Sequence, residues 1–260
     1  MKKIGSTLVG LALLTIFSSN CNSQQKAPGT PAAAPAAPAA TTTPAAPAPA
    51  ATSAAPAGLK AVVKFSGTPP AAMKLNRQSD PVCAKVAKND ETVVVNSNGT
   101  LKNAVVRVTA GATAPSAPPA TPVTVTQHEC MYAPRVVAGM TGQALEIVNG
   151  DPVLHNIHAY SGTTTTFNQA QMQKSAPIKK TIGDGVTKLK CDVHPWMTGY
   201  TVGNANPYIC VTGNDGSCTL GSLPAGTYTV EAWHEKYGTK TAQVTVGTTP
   251  GSVEFSFSAQ

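Results

Sequence analysis

From Gly58 onward the chain is a succession of short runs in which Val, Thr and Ile alternate with polar residues, broken by Gly, Pro, Asn and Asp. No segment sustains the 3.6-residue period of an amphipathic helix. Alternation with period two instead places every second side chain on one face of a sheet. The pattern predicts strands over residues 59–65, 92–95, 104–109, 122–126, 144–148, 186–190, 208–212, 227–233, 242–246 and 253–257, with a short helical turn only at 169–174. The fold class expected is all-β. About 200 residues of such sequence suffice for one large sandwich or two of ordinary size.

The N-terminal part follows other rules. Lys2 and Lys3 precede an apolar stretch over residues 8–17, then small and polar residues lead to Cys21, the order of an export signal. Residues 1–20 are read as that signal. Ser18-Ser19-Asn20-Cys21 resembles a bacterial lipoprotein cleavage box, with Asn20 where a small residue is usual, so Cys21 is expected to be lipidated; cleavage nearby without lipid is the alternative. The apolar stretch falls short of the roughly 20 residues of a spanning helix and no later segment reaches that length, so membrane attachment is expected through the N-terminal lipid. Asn22, rather than an acidic residue, after Cys21 favours the outer membrane. Residues 21–57 then form the lipid-bearing cysteine and an Ala/Pro-rich disordered tether, whose reach is on the order of 100 Å at about 3.1 Å per residue. The expected location is outside the cytoplasm, in the periplasm or at the cell surface.

The formal charge of +7 falls to +5 once Lys2 and Lys3 leave with the signal. Lys174, Lys179, Lys180, Lys188 and Lys190 form either a solvated face or a patch that steers an acidic protein partner. No motif of a nucleic-acid reader is present. The six cysteines become five when Cys21 is set aside, an odd number for an exported chain, so one thiol is expected to be unpaired. Cys210 and Cys218 flank the turn signal Asn214-Asp215-Gly216, which suits a disulfide across a hairpin. Cys83 and Cys130 are then left for each other and Cys191 stays over. Other pairings of five cysteines remain open.

The leftover cysteine lies in Cys191-Asp192-Val193-His194-Pro195-Trp196-Met197, which sets a thiol, an imidazole and a thioether on one tight loop. His155-Asn156 lies upstream, after the run 144–148 and an Asn149-Gly150-Asp151-Pro152 turn. Two His, one Cys and a weakly held Met make up the ligand set of a mononuclear electron-transfer copper site. A thiolate stabilises Cu(I) and imidazole serves both oxidation states, so neither state is strongly disfavoured.

The order of these residues resembles the cupredoxins, the plastocyanin and amicyanin family. The resemblance runs from about Tyr132 to Val202 and includes Ala133-Pro134-Arg135-Val136-Val137, Gly142-Gln143, Ile147-Val148-Asn149 and His155-Asn156-Ile157-His158. The spacing of Cys191, His194 and Met197 is similar to amicyanin's in particular. The resemblance implies a Greek-key sandwich over residues 121–204, one type 1 (blue) copper per chain, and His155, Cys191, His194 and Met197 as its ligands. It also implies outer contacts. Asn156 would bond across to the copper loop, Pro195 would remove a donor beside the thiolate, and Trp196 would lie near the surface, where a partner approaches the exposed edge of His194. Trp196 as core filler is the alternative. His158 is read as a hydrogen-bonded or core histidine facing away from the ligands, and His234 as structural; His128 has no motif.

A second resemblance flanks the first. Gly213-Asn214-Asp215-Gly216, Leu223-Pro224-Ala225-Gly226-Thr227-Tyr228-Thr229-Val230 and Val244-Thr245-Val246 are similar to the carboxypeptidase-regulatory-like, or prealbumin-like, β-sandwich. It implies N-terminal strands of that sandwich over 58–120 and its C-terminal part over 205–260, with the cupredoxin inserted between. The function expected is a blue copper protein passing single electrons between redox partners of the cell envelope, a cytochrome or a dehydrogenase. The alternatives are non-redox copper sequestration or delivery, and a β-sandwich adhesion or scaffold module. No enzyme is expected, since five histidines cannot supply the further histidine cluster of a copper oxidase, and C-x-x-C-H, the haem attachment motif, is missing.

Overall fold

The computed structural model describes residues 57–113 and 117–259, so the export signal, Cys21 and nearly all of the tether lie outside the described residues. Sixteen strands follow one another: β1 (Ala57–Ser66), β2 (Val105–Ala110), β3 (Val123–His128), β4 (Met131–Ala133), β5 (Val136–Met140), β6 (Ala144–Asn149), β7 (His155–Ser161), β8 (Thr164–Gln171), β9 (Ile178–Thr181), β10 (Gly185–Lys190), β11 (Thr198–Asn204), β12 (Ile209–Val211), β13 (Ser217–Leu223), β14 (Gly226–His234), β15 (Gly238–Val246) and β16 (Gly251–Ser258). One 3-10 turn, Cys83–Lys85, is the only helical piece among the described residues, and no helix there is long and apolar enough to cross a membrane. The protein is all-β.

The strands form four sheets, ordered β13-β1-β16, β12-β2-β14-β15, β4-β3-β6-β9 and β5-β11-β10-β7-β8. The first two draw on both ends of the described chain; the last two are built from β3 to β11, between β2 and β12. Period-two burial makes each pair a sandwich. Along β16, Val253, Phe255 and Phe257 are buried while Ser252, Glu254 and Ser256 are exposed. They join Leu59, Val63, Val106 and Val230 in one core, each large apolar side chain contributing about 1.5–3 kcal/mol when fully buried. The inserted sandwich has its own core of Tyr132, Ile147, Ile157 and Leu189, which also takes in Cys191 and Met197.

A third cluster, Val105, Val136, Tyr200 and Val202, joins the two sandwiches. Val105 turns to this junction and Val106 to the first core, as neighbours on a strand must. A buried ion pair crosses the same junction: Arg135, before β5, donates from Nε to Glu235 Oε1 at 2.5 Å and from Nη2 to Glu235 Oε2 at 2.9 Å, with side chains 5% and 6% exposed. Arg107 adds a second link, pairing with Glu231 and donating to the Gly203 carbonyl at 2.9 Å.

The structure corrects three local expectations. Residues 92–95 form no named strand; Val95 bridges only to Leu101 across an Asn96–Thr100 turn, which leaves no length for a ladder. Residues 169–171 are not helical, because their backbone is taken up by β7, with Gln171 opposite His155 and Ala170 opposite Asn156. β1 starts two residues earlier than expected, at Ala57, taking in the last residue of the expected tether.

Candidate metal centre

Strand register brings the copper-loop residues together. β10 pairs with β7 so that Lys190 lies opposite His158, which carries Cys191 alongside Asn156, whose N–H donates to Cys191 Sγ at 3.5 Å. The loop then turns back on itself: Met197 N–H donates to the His194 carbonyl at 2.9 Å, and Lys190 Nζ donates to the Pro195 carbonyl at 2.8 Å. Asn156 fastens the two segments. Its Oδ1 accepts the Asp192 N–H at 2.6 Å, and its Nδ2 donates to Asp192 Oδ2 at 3.0 Å and Asn168 Oδ1 at 2.8 Å.

The donor atoms of His155, Cys191 and His194 form a small triangle. Nδ1 of His155 lies 2.9 Å from Nδ1 of His194, and Cys191 Sγ lies 4.0 Å from the first and 3.7 Å from the second. These edges are what three donors show around one ion held at about 2 Å from nitrogen and about 2.3 Å from sulfur. His155, Cys191 and His194 are buried, and Met197, fully buried, packs in the same core. A buried, soft His₂Cys set in a core that also holds a thioether fits copper.

Each imidazole is gripped from behind by a carboxylate. His155 Nε2 lies 2.9 Å from Asp151 Oδ2, and His194 Nε2 lies 3.1 Å from Asp80 Oδ2. A carboxylate at Nε2 favours a proton there, which leaves Nδ1 of each ring as the atom that would ligate a metal. Burial alone would push the Cys191 thiol up, but the His155 ring and the N–H groups of Asn156, His194 and Val193 outweigh it and hold the thiol below its ordinary range. This favours the thiolate, the form that ligates. Burial likewise opposes ionisation of Asp151, yet the His155 contact and the N–H groups of Cys130 and Glu129 hold its carboxyl low. Asp80 is lowered chiefly by its bond to His194. Tyr132 is raised by burial and by Cys191 and Asp192; its hydroxyl donates to the Asn156 and Lys190 carbonyls, spanning both ligand segments.

The exposed edge expected for His194 is not found: its side chain is 2% exposed. Asp80 lies against its Nε2 and Trp196 packs beside it, ring centroids 5.1 Å apart. Trp196 is half-buried, donates from Nε1 to the Cys130 carbonyl at 3.0 Å, and has Arg77 5.9 Å over its ring. Arg77, itself 3% exposed, donates to the carbonyls of Val86 and Glu129 and so folds the 77–86 segment over the site. Pro195 is exposed at the rim. His158 faces away from the triangle, bonded to Asp192, Thr165 and Tyr160. His234 is buried in the other sandwich against Tyr237 and Phe257.

Among the described residues the disulfides are Cys83–Cys130 and Cys210–Cys218, and Cys191 is free. Sequence reasoning passed over Asp80 and Asp151. Asp151 sits in the Asn-Gly-Asp-Pro turn four residues before His155, where it reads as turn chemistry. Asp80 is 114 residues from His194, beyond any local pattern.

By sequence, no family model and no curated protein matches the chain. By structure, it is similar to a purple cupredoxin from Nitrosopumilus maritimus (20% identity, 31% of this chain and 98% of that one, TM-score 0.28). It is also similar to amicyanin from Paracoccus versutus (22% identity, 38% of this chain and 97% of that one, TM-score 0.30). A third neighbour is a copper-containing nitrite reductase from Thermus scotoductus (23% identity, 36% of this chain and 24% of that one, TM-score 0.29).

Proposed function

We propose that the chain is a type 1 copper protein that carries single electrons between redox partners, with His155, Cys191 and His194 as strong ligands and Met197 as the weak axial one. The observation that carries this reading is the buried triangle of two imidazole Nδ1 atoms and one thiol sulfur, 2.9 to 4.0 Å apart. Copper bound there would supply one-electron chemistry. The chain's part is to hold the donors still: Asn156 ties the copper loop to β7, Tyr132 spans both ligand segments, and Asp80 and Asp151 fix the rings. A site that moves little between oxidation states exchanges electrons with little reorganisation, and the tight packing around Cys191 excludes water.

With the His194 edge covered, contact with a protein partner, a cytochrome or dehydrogenase, falls to the apolar residues beside the ligands. Leu154, Val193 and Met172 are 40%, 47% and 60% exposed, and each adjoins His155, His194 or Gln171 in sequence. An exported protein anchored through lipid on Cys21, on the outer membrane, would present this face at the end of its tether. No catalytic role is proposed.

The covered His194 favours one second reading, a copper-holding protein without redox duty. Voltammetry of the copper-loaded protein separates them. A carrier gives a reversible one-electron wave with fast exchange and keeps its metal against a chelator; a store or delivery protein gives sluggish exchange and yields its copper to an acceptor.

A further inference from the structure

The two carboxylates that grip the histidines come from distant parts of the chain and meet at one covalent bond. Asp80 Oδ1 accepts the N–H groups of Val82 at 2.8 Å and Cys83 at 3.1 Å, while its Oδ2 faces His194. Asp151 Oδ2 accepts the N–H of Cys130 at 2.8 Å and faces His155, and its Oδ1 accepts the N–H of Glu129 at 2.7 Å. Cys83 and Cys130 are joined as a disulfide, with Cα atoms 5.6 Å apart. Each half of that disulfide therefore donates a main-chain N–H to the carboxylate behind one histidine.

The Cys130 side is built for this task. Glu129 and Cys130 are the two central residues of the β3–β4 hairpin, at φ 51° and 52°. Positive φ at both central residues is the type I′ loop, which Asn-Gly or Gly-Gly adopts without strain and Glu-Cys does not. The conformation turns two successive N–H groups to one side, a small anion-binding nest, and the Asp151 carboxylate fills it. The same turn is held from outside by Arg77, which donates to the Glu129 carbonyl, and by Trp196, which donates to that of Cys130. Strain of this kind persists where the surroundings over-determine it, and here they consist of the metal loop, the disulfide and Asp151.

Resting on the copper reading above, we propose that Cys83–Cys130 is a positioning disulfide of the metal centre: it holds Asp80 and Asp151 in place together, and so sets the orientation of His194 and His155 toward the metal. Opening it leaves the 77–86 segment tied to the hairpin through Arg77 alone, so that Asp80 shifts from His194 and the turn that clamps Asp151 loosens. The other disulfide, Cys210–Cys218, lies in the other sandwich and has no such link. Loss of contacts behind a metal-bound histidine lowers metal affinity about 10–100-fold.

The test uses the purified protein in wild-type form, as Cys83→Ser/Cys130→Ser, and as the control Cys210→Ser/Cys218→Ser. Imidazole ¹H–¹⁵N spectra of the metal-free protein report the tautomers, and competition with a chelator reports copper affinity. The wild type and the control are expected to show a proton fixed on Nε2 of both His155 and His194, bonded to its carboxylate; the Cys83/Cys130 variant is expected to lose that fixed Nε2 proton at both rings and to bind copper at least tenfold more weakly. Equal tautomers and affinity in all three overturn the proposal. Reduction of the folded wild type with a trialkylphosphine, with the opened thiols counted, stands in if the serine pair does not fold: it is expected to loosen both rings in the same way, and rings that stay fixed with the Cys83–Cys130 bridge open overturn the proposal. Should the wild type take up no copper, the copper reading fails, and the metal-free spectra still decide whether the disulfide positions the rings.

Discussion

Replacing Asn156 with Ala tests whether one buried amide holds the ligand loops in register. The side chain, 7% exposed as a residue, makes four contacts: it accepts from Asp192 N at 2.6 Å and Val193 N at 3.4 Å, and donates to Asn168 and Asp192. Asn168 and Asp192 are exposed, so water replaces the two donated bonds at little cost. The accepted bonds restrain the loop backbone, and losing them costs about 1 kcal/mol each, more where the N–H finds no water. The expected loss is about 2–3 kcal/mol. At roughly 2–4 °C per kcal/mol for a domain of this size, thermal unfolding should shift down by about 4–12 °C. The freed loop should also weaken the thiolate-to-copper band and speed Cu(II) loss to a chelator. Asn156→Asp keeps the acceptor but sets a second carboxylate beside Asp192 Oδ2, so it should be worse still at neutral pH. A shift under 2 °C with an unchanged band would refute the argument.

Three further outcomes follow from the same geometry. Glu235→Gln leaves Arg135 buried without its counter-charge and should cost about 3–5 kcal/mol in urea unfolding, whereas Arg135→Met with Glu235→Leu should recover most of it; equal stability of the single variant and wild type contradicts this. Burial, with Arg135 nearby, pushes His234 down to about 4, so the unfolded chain takes up a proton first and the fold loses stability as pH falls from about 6.5 to 4. The loss attributable to it is on the order of 3 kcal/mol, and His234→Gln should flatten that part of the stability curve. Removing copper held at about a hundred times Kd should lower stability by roughly 2.7 kcal/mol, read as a drop in Tm of about 5–11 °C; an unchanged Tm means the metal does not bind the folded site.

How much was legible from sequence depended on where the signal lay. Val253, Phe255 and Phe257 alternate with polar residues and declare β16, and the turn at Asn214-Asp215-Gly216 points to the Cys210–Cys218 bridge. β8 went unread because only Gln171 of its eight residues is buried, so an edge strand carries no apolar alternation. The Cys191–Met197 loop announces itself because three donors share seven residues, and His155 follows a strand-and-turn signal. The covering of His194 was invisible: it depends on Asp80, Arg77 and a disulfide that bring a segment of the first half of the chain over a loop in the second.

The most direct measurement is titration of the purified metal-free protein with Cu(II), followed by visible absorption, for the wild type and Cys191→Ala. An intense blue thiolate-to-copper band is expected, saturating at one copper per chain and abolished by the substitution. A colourless adduct, or a band that survives without the Cys191 sulfur, would contradict it.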